Sequence, residues 1–145
     1  RIYAQFASPT DEVNAVFSVG SEEANTVVLE LGVTTSFYQN PLGSNLGSGI
    51  NPAIVGMLPD VGYDSWLTIG STSTDDPVIS SAGMSAAFLS FNQGNGFILD
   101  GAVGGTWYVT TGSNPLALAG DDGQVLLAQL TAANTEAGGV VYSYR

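Results

Sequence analysis

The groups in this 145-residue chain that could do chemistry are carboxylates, hydroxyls and tyrosines. There is no Cys, no His and no Lys, and the two cations are Arg1 and Arg145. Without Cys there is no disulfide, thiol nucleophile or thiolate metal site. Without His there is no Ser-His-Asp or Cys-His arrangement and no imidazole zinc site. Without Lys there is no Schiff base and no Walker-type phosphate loop. Paired carboxylates remain, as in glycoside hydrolysis, but no two acids are marked as a pair. Asp64-Ser65-Trp66 also departs from the Asp-Thr/Ser-Gly of an aspartic protease at its third place. The chain is not expected to be an enzyme.

The acids that remain are candidates for cations. Calcium takes carboxylate and carbonyl oxygens on bent loops. Ser73-Thr74-Asp75-Asp76-Pro77 and Gly120-Asp121-Asp122-Gly123 each offer two ligands, so Asp75, Asp76, Asp121 and Asp122 form the candidate calcium set. Turn chemistry accounts equally well for Asp beside Gly or Pro. Tyr63, Trp66, Trp107 and Tyr108 are candidates for a carbohydrate-stacking platform, the alternative being sheet packing. Ser71, Thr72, Ser73 and Thr74 form a hydroxyl cluster that is either O-glycosylated or a solvated turn. No Asn-x-Ser/Thr sequon occurs.

Thirteen acids against two arginines give a net charge of −11. Nucleic-acid binding needs cations to displace counterions, so it is not expected. No apolar run approaches the roughly 20 residues needed to span a bilayer, so no membrane insertion is expected. The chain opens in strand-like sequence, as a secreted product would after losing its targeting segment. An extracellular or cell-surface location is the expectation.

The elements that must position these residues read as strands. Short β-branched and aromatic runs recur between Gly, Pro, Asn, Asp and Ser. They predict strands over Ile2–Ala7, Val13–Val19, Thr26–Leu31, Thr34–Tyr38, Tyr63–Ile69, Ala86–Asn92, Phe97–Asp100, Thr106–Thr110, Gln124–Thr131 and Val140–Tyr144. Gly32 is expected to break two of them, and Gly94-Asn95-Gly96 to turn a hairpin. The connection Gln39–Gly62 is expected to hold one helical turn, with Asn51 as cap and Pro52 first. One long crossover among many strands suggests a two-sheet jelly-roll or Greek-key sandwich. The first strand stands apart. Ile2, Ala4 and Phe6 alternate with Tyr3, Gln5 and Ala7, and Ser8-Pro9 ends the run. Residues 1–8 are thus a candidate donor strand and 9–145 a sandwich domain.

Three segments, read in order, resemble known proteins. They are Leu31–Pro41, then Asn51-Pro52-Ala53 leading to Tyr63-Asp64-Ser65-Trp66-Leu67-Thr68-Ile69-Gly70, then Gly104–Val109 with Gly123–Thr131. The order is similar to an uncharacterised family of secreted β-sandwich proteins. It is also similar to protomers of environmental extracellular fibrils, in which an N-terminal strand completes an immunoglobulin-like domain of another subunit. The resemblance implies an all-β, immunoglobulin-like fold and a pilus-like homopolymer built by strand exchange. It brings no catalytic residues. The alternative expectation is a secreted carbohydrate-binding or adhesion module, with calcium as its candidate cofactor and glycans as partners. Such a module should keep Ile2–Ala7 in its own sheet.

Overall fold

The structure is a computed structural model. It describes residues 1–18, 28–100 and 104–132, and the backbone of Val140–Tyr144. Val19, Thr26, Val27 and Arg145, which the sequence reading touches, lie outside the described residues.

The chain is mostly strand, in antiparallel sheets. The strands are β1 (Ile2–Gln5), β2 (Ala15–Ser18), β3 (Leu29–Val33), β4 (Trp66–Leu67), β5 (Ser80–Ala82), β6 (Phe97–Leu99), β7 (Gly105–Tyr108), β8 (Gln124–Gln129) and β9 (Val140–Tyr144). They form three sheets of three, ordered β1-β8-β4, β2-β7-β5 and β6-β3-β9. Three small sheets stand where two larger ones were expected. Each strand is only 2–6 residues long, so none extends across the molecule.

Alternation sets which side faces in. In β3, Leu29 and Leu31 are buried and Glu30 lies between them. In β6, Phe97 and Leu99 face in and Ile98 faces out. Trp107 of β7 and Val125 and Ala128 of β8 join the same core. Phe91 sits at its centre, its ring edge-on to Phe37 at 5.3 Å and to Phe97 at 6.0 Å between centroids. Edge-on packing aligns the ring quadrupoles favourably.

Two expectations fail at glycines. Gly32 does not break a strand; it pairs within β3, opposite Val141 of β9. Thr34–Tyr38 supplies only an isolated bridge, Phe37 to Ala132. The segment Ala86–Asn92 is not a strand but part of helix α2 (Ser85–Asn92). Met84, Ala87, Phe88 and Phe91 recur at helical spacing, and all four pack into the core. Gly94 ends this helix rather than turning a hairpin. It takes φ +79°, its N–H bonds the Phe91 carbonyl at 2.9 Å, and the Asn95 N–H bonds that of Ser90 at 3.1 Å. That pair of bonds is the Schellman cap, which favours glycine at its left-handed position.

The connection Gln39–Gly62 holds the expected turn. Helix α1 (Pro52–Met57) starts with Pro52, and the Asn51 side chain accepts the Ala53 N–H at 2.9 Å. A 3-10 turn, Pro59–Tyr63, comes next.

Candidate functional site

The candidate donor strand, Ile2–Ala7, is seated on β8. β1 runs antiparallel to β8, with Tyr3 opposite Leu126, Ala4 opposite Val125 and Gln5 opposite Gln124. The ladder continues past the strand through the Phe6 N–H, bonded to the Gly123 carbonyl at 2.8 Å. Ile2, Ala4 and Phe6 are half-buried, and Ile2 and Phe6 pack against the main core. Tyr3, Gln5 and Ala7 are exposed. On the outer side the Gln124 amide donates to the Gln5 side-chain oxygen at 3.0 Å. Arg1 Nε donates to Gln129 Oε1 at 3.4 Å.

β8 is the middle strand of its sheet, held on its other side by β4. Among the described residues β1 has one strand neighbour, β8. Full burial of Ile or Phe stabilises by roughly 1.5–3 kcal/mol. Two half-buried anchors therefore contribute about 1.5–3 kcal/mol between them, beside the backbone bonds of the ladder.

The segment after β1 is not a loose linker. The Asp11 N–H bonds the Ser8 carbonyl at 3.1 Å, and the Ser8 N–H bonds Asp11 Oδ2 at 3.3 Å, closing a turn around Pro9. The Pro9 carbonyl accepts the Gly120 N–H at 3.0 Å, and the Asp11 carbonyl accepts that of Ala119 at 2.9 Å. The chain is therefore anchored at Pro9 and Asp11.

The aromatic platform is not assembled. Trp66 and Trp107 are 3% and 2% exposed. Trp107 lies in the main core, with Nε1 donating to the Thr68 carbonyl at 3.0 Å. Trp66 forms a second, smaller cluster with Ile50 and Leu126. Tyr63 and Tyr108 are exposed, but Tyr63 ends a 3-10 turn and Tyr108 ends β7. Indoles supply the largest apolar area in the chain, and packing has taken both.

The four acids of the calcium reading lie on two turns. Asp76 Oδ2 accepts the N–H groups of Thr72 at 2.7 Å and Ser73 at 3.1 Å, and the Thr72 hydroxyl at 3.1 Å. These bonds hold its carboxyl below the ordinary 3.8, the Thr72 N–H contributing most. Asp75, Asp121 and Asp122 are exposed. Among the described residues no three acidic side chains converge as a metal set. In the hydroxyl cluster Ser71 is buried; its Oγ donates to the Pro77 carbonyl at 2.8 Å and accepts from Asn114 at 3.2 Å. It has no room for a glycan. Thr72 and Thr74 are exposed and Ser73 is half-buried.

Asp64 is the acid that sequence reasoning passes over. It is fully buried. Its Oδ1 accepts the Asn40 N–H at 2.7 Å, and its Oδ2 that of Ser44 at 2.8 Å. Burial pushes its carboxyl above the ordinary 3.8, against the pull of these N–H groups. Gly43 lets the loop close over it, since a Cβ there would collide with the carboxylate. Ser65 next to it accepts the Thr131 N–H at 3.0 Å. The run Asp64–Ile69 is buried throughout and ties the long connection to β8. Asp64 stands before Ser65-Trp66 at the head of a strand-like apolar run, and that placement was the available signal.

No protein-family model matches the chain, and no curated protein and no solved structure matches it. No described helix is long and apolar enough to cross a membrane.

Proposed function

We propose that the protein is a structural subunit of an extracellular, pilus-like filament, which polymerises by passing β1 to the β8 edge of another copy. The observation that carries this reading is the seat of β1: among the described residues an edge strand, held by two half-buried anchors, ahead of a fixed proline turn. A chain taken alone has only its own β8 to offer. Exchange replaces each contact with an identical one, so the closed and open forms differ mainly at the pivot, Ala7–Ser8. A short hinge ahead of a fixed proline turn favours exchange over closure. The incoming strand brings backbone hydrogen bonds for affinity and alternate side chains for specificity. Donor and acceptor surfaces differ, so the contact repeats into an open helical array. The resemblance to fibril protomers supports the same reading.

At −11 per subunit, copies repel, and salt should promote assembly by screening. Electron microscopy of the intact chain at roughly 0.5 M salt, where screening is short-ranged, beside a version lacking Arg1–Ser8, tests this. Filaments from the first and soluble subunits from the second are expected. Single particles from both would contradict it.

The second reading, an adhesion module, is favoured by one observation: β1 lies in the sheet of its own chain. It would need a ligand surface other than the Trp66 and Trp107 platform, which is buried.

A further inference from the structure

A cavity of about 270 Å³ opens beside the smaller core cluster. Ile50 and Trp66, Pro52 and Val55 of α1, Gln129 of β8 and Arg1 line it. Trp66 and Ile50 are nearly fully buried and so fixed, while half-buried Val55 and exposed Pro52 offer the larger apolar surface. An apolar cavity of roughly 150 Å³ already admits benzene, so this one has room for a ring with a substituent.

Arg1 is the cation at its rim, in a chain with only two. Its Nε makes one long bond, 3.4 Å, to Gln129 Oε1. No carboxylate pairs with it among the described residues. The guanidinium beside this cavity carries a planar fork of N–H groups that matches a carboxylate. Gln129 is already committed: its amide donates to the Gly62 carbonyl at 2.9 Å and the Asp64 carbonyl at 3.0 Å. It therefore positions Arg1 rather than competing for ligand. Asp76, near the Thr72 and Ser73 edge, spends its Oδ2 within its own turn.

We propose that this pocket binds a small carboxylate with a compact apolar body, the carboxylate on Arg1 and the body against Trp66, Ile50 and Val55. Arg1 travels with β1, so in an exchanged filament the incoming strand of another copy would bring its own Arg1 to this place, and the pocket exists in either form. A ligand of about ten heavy atoms should bind with a Kd near 1 mM or tighter.

The test is a fluorine NMR titration with 4-fluorobenzoate, and with 4-fluorobenzamide as its neutral counterpart. Saturable binding of the benzoate is expected. Arg1→Gln should weaken the benzoate about tenfold and leave the benzamide unchanged, because only the charge-assisted bond is lost. Val55→Trp should fill the cavity and abolish both. No saturation up to 20 mM ligand (roughly twenty times that Kd) would overturn the proposal. Benzoate affinity unchanged in either variant would overturn it too. Unchanged thermal midpoints in both variants exclude unfolding as the cause.

Discussion

Asp64 is an acid that folding takes out of water in order to hold a loop. Its two oxygens stand in for backbone carbonyls at Asn40 and Ser44, in a connection with little ladder of its own. Asp64→Ala leaves both N–H groups unpaired and opens a small void. The expected loss of unfolding free energy at neutral pH is ~1–3 kcal/mol, read from urea denaturation. The pH dependence has a definite sign. Burial raises the folded carboxyl above 3.8, so the folded protein keeps that proton longer than the unfolded chain. Stability from this group is complete below pH 3.8 and falls as pH rises through the raised folded value. In Asp64→Ala that fall should vanish. The two indoles show the same preference for packing over display: both sit in strand-like runs, and both end buried.

At the scale of elements, helix α2 rests on its cap. A Cβ at Gly94 would lie 2.8 Å from the Phe37 carbonyl oxygen, and φ is +79°. Gly94→Ala should therefore cost more than the ~1 kcal/mol of the left-handed conformation alone, seen as a lower urea midpoint. The elements also differ in how far the sequence discloses them. Val140–Tyr144 is observed with the expected bounds, and β1, β2 and β8 lie inside expected strands, as does all of β7 but Gly105. Alternating β-branched and aromatic residues carry that signal without tertiary help. The cap at Asn51-Pro52 is equally local. α2 reads as a strand because Phe88 and Phe91 favour strands, while the decisive stripe of Met84, Ala87, Phe88 and Phe91 runs at helical period. β5, Ser80–Ala82, is silent in the sequence, since Ser-Ser-Ala carries no propensity; pairing with β7 alone makes it a strand. Of the candidate sites, the β1 alternation was legible. The pocket beside Trp66 was not, because it joins residues 1, 50, 66 and 129 that nothing in the sequence links.

At the scale of the whole molecule, three short sheets share one core, and the first strand reaches it through Ile2, with Phe6 just beyond. The central claim is that β1 of one copy seats on β8 of another. Gln5 and Gln124 face each other across that seam, both exposed, and the chain has no cysteine to interfere. Facing residues of an antiparallel pair lie about 4.5–5.5 Å apart at Cα, within disulfide reach. Gln5→Cys and Gln124→Cys should therefore be made in separate copies, mixed under assembly conditions and oxidised. The account predicts a disulfide between one Gln5→Cys chain and one Gln124→Cys chain, seen on a non-reducing gel and mapped by mass spectrometry. It also predicts that the double variant, oxidised as a monomer, is locked shut and forms no filaments. If the mixed chains yield no such cross-link while the double variant closes readily within itself, β1 stays home and strand exchange is contradicted.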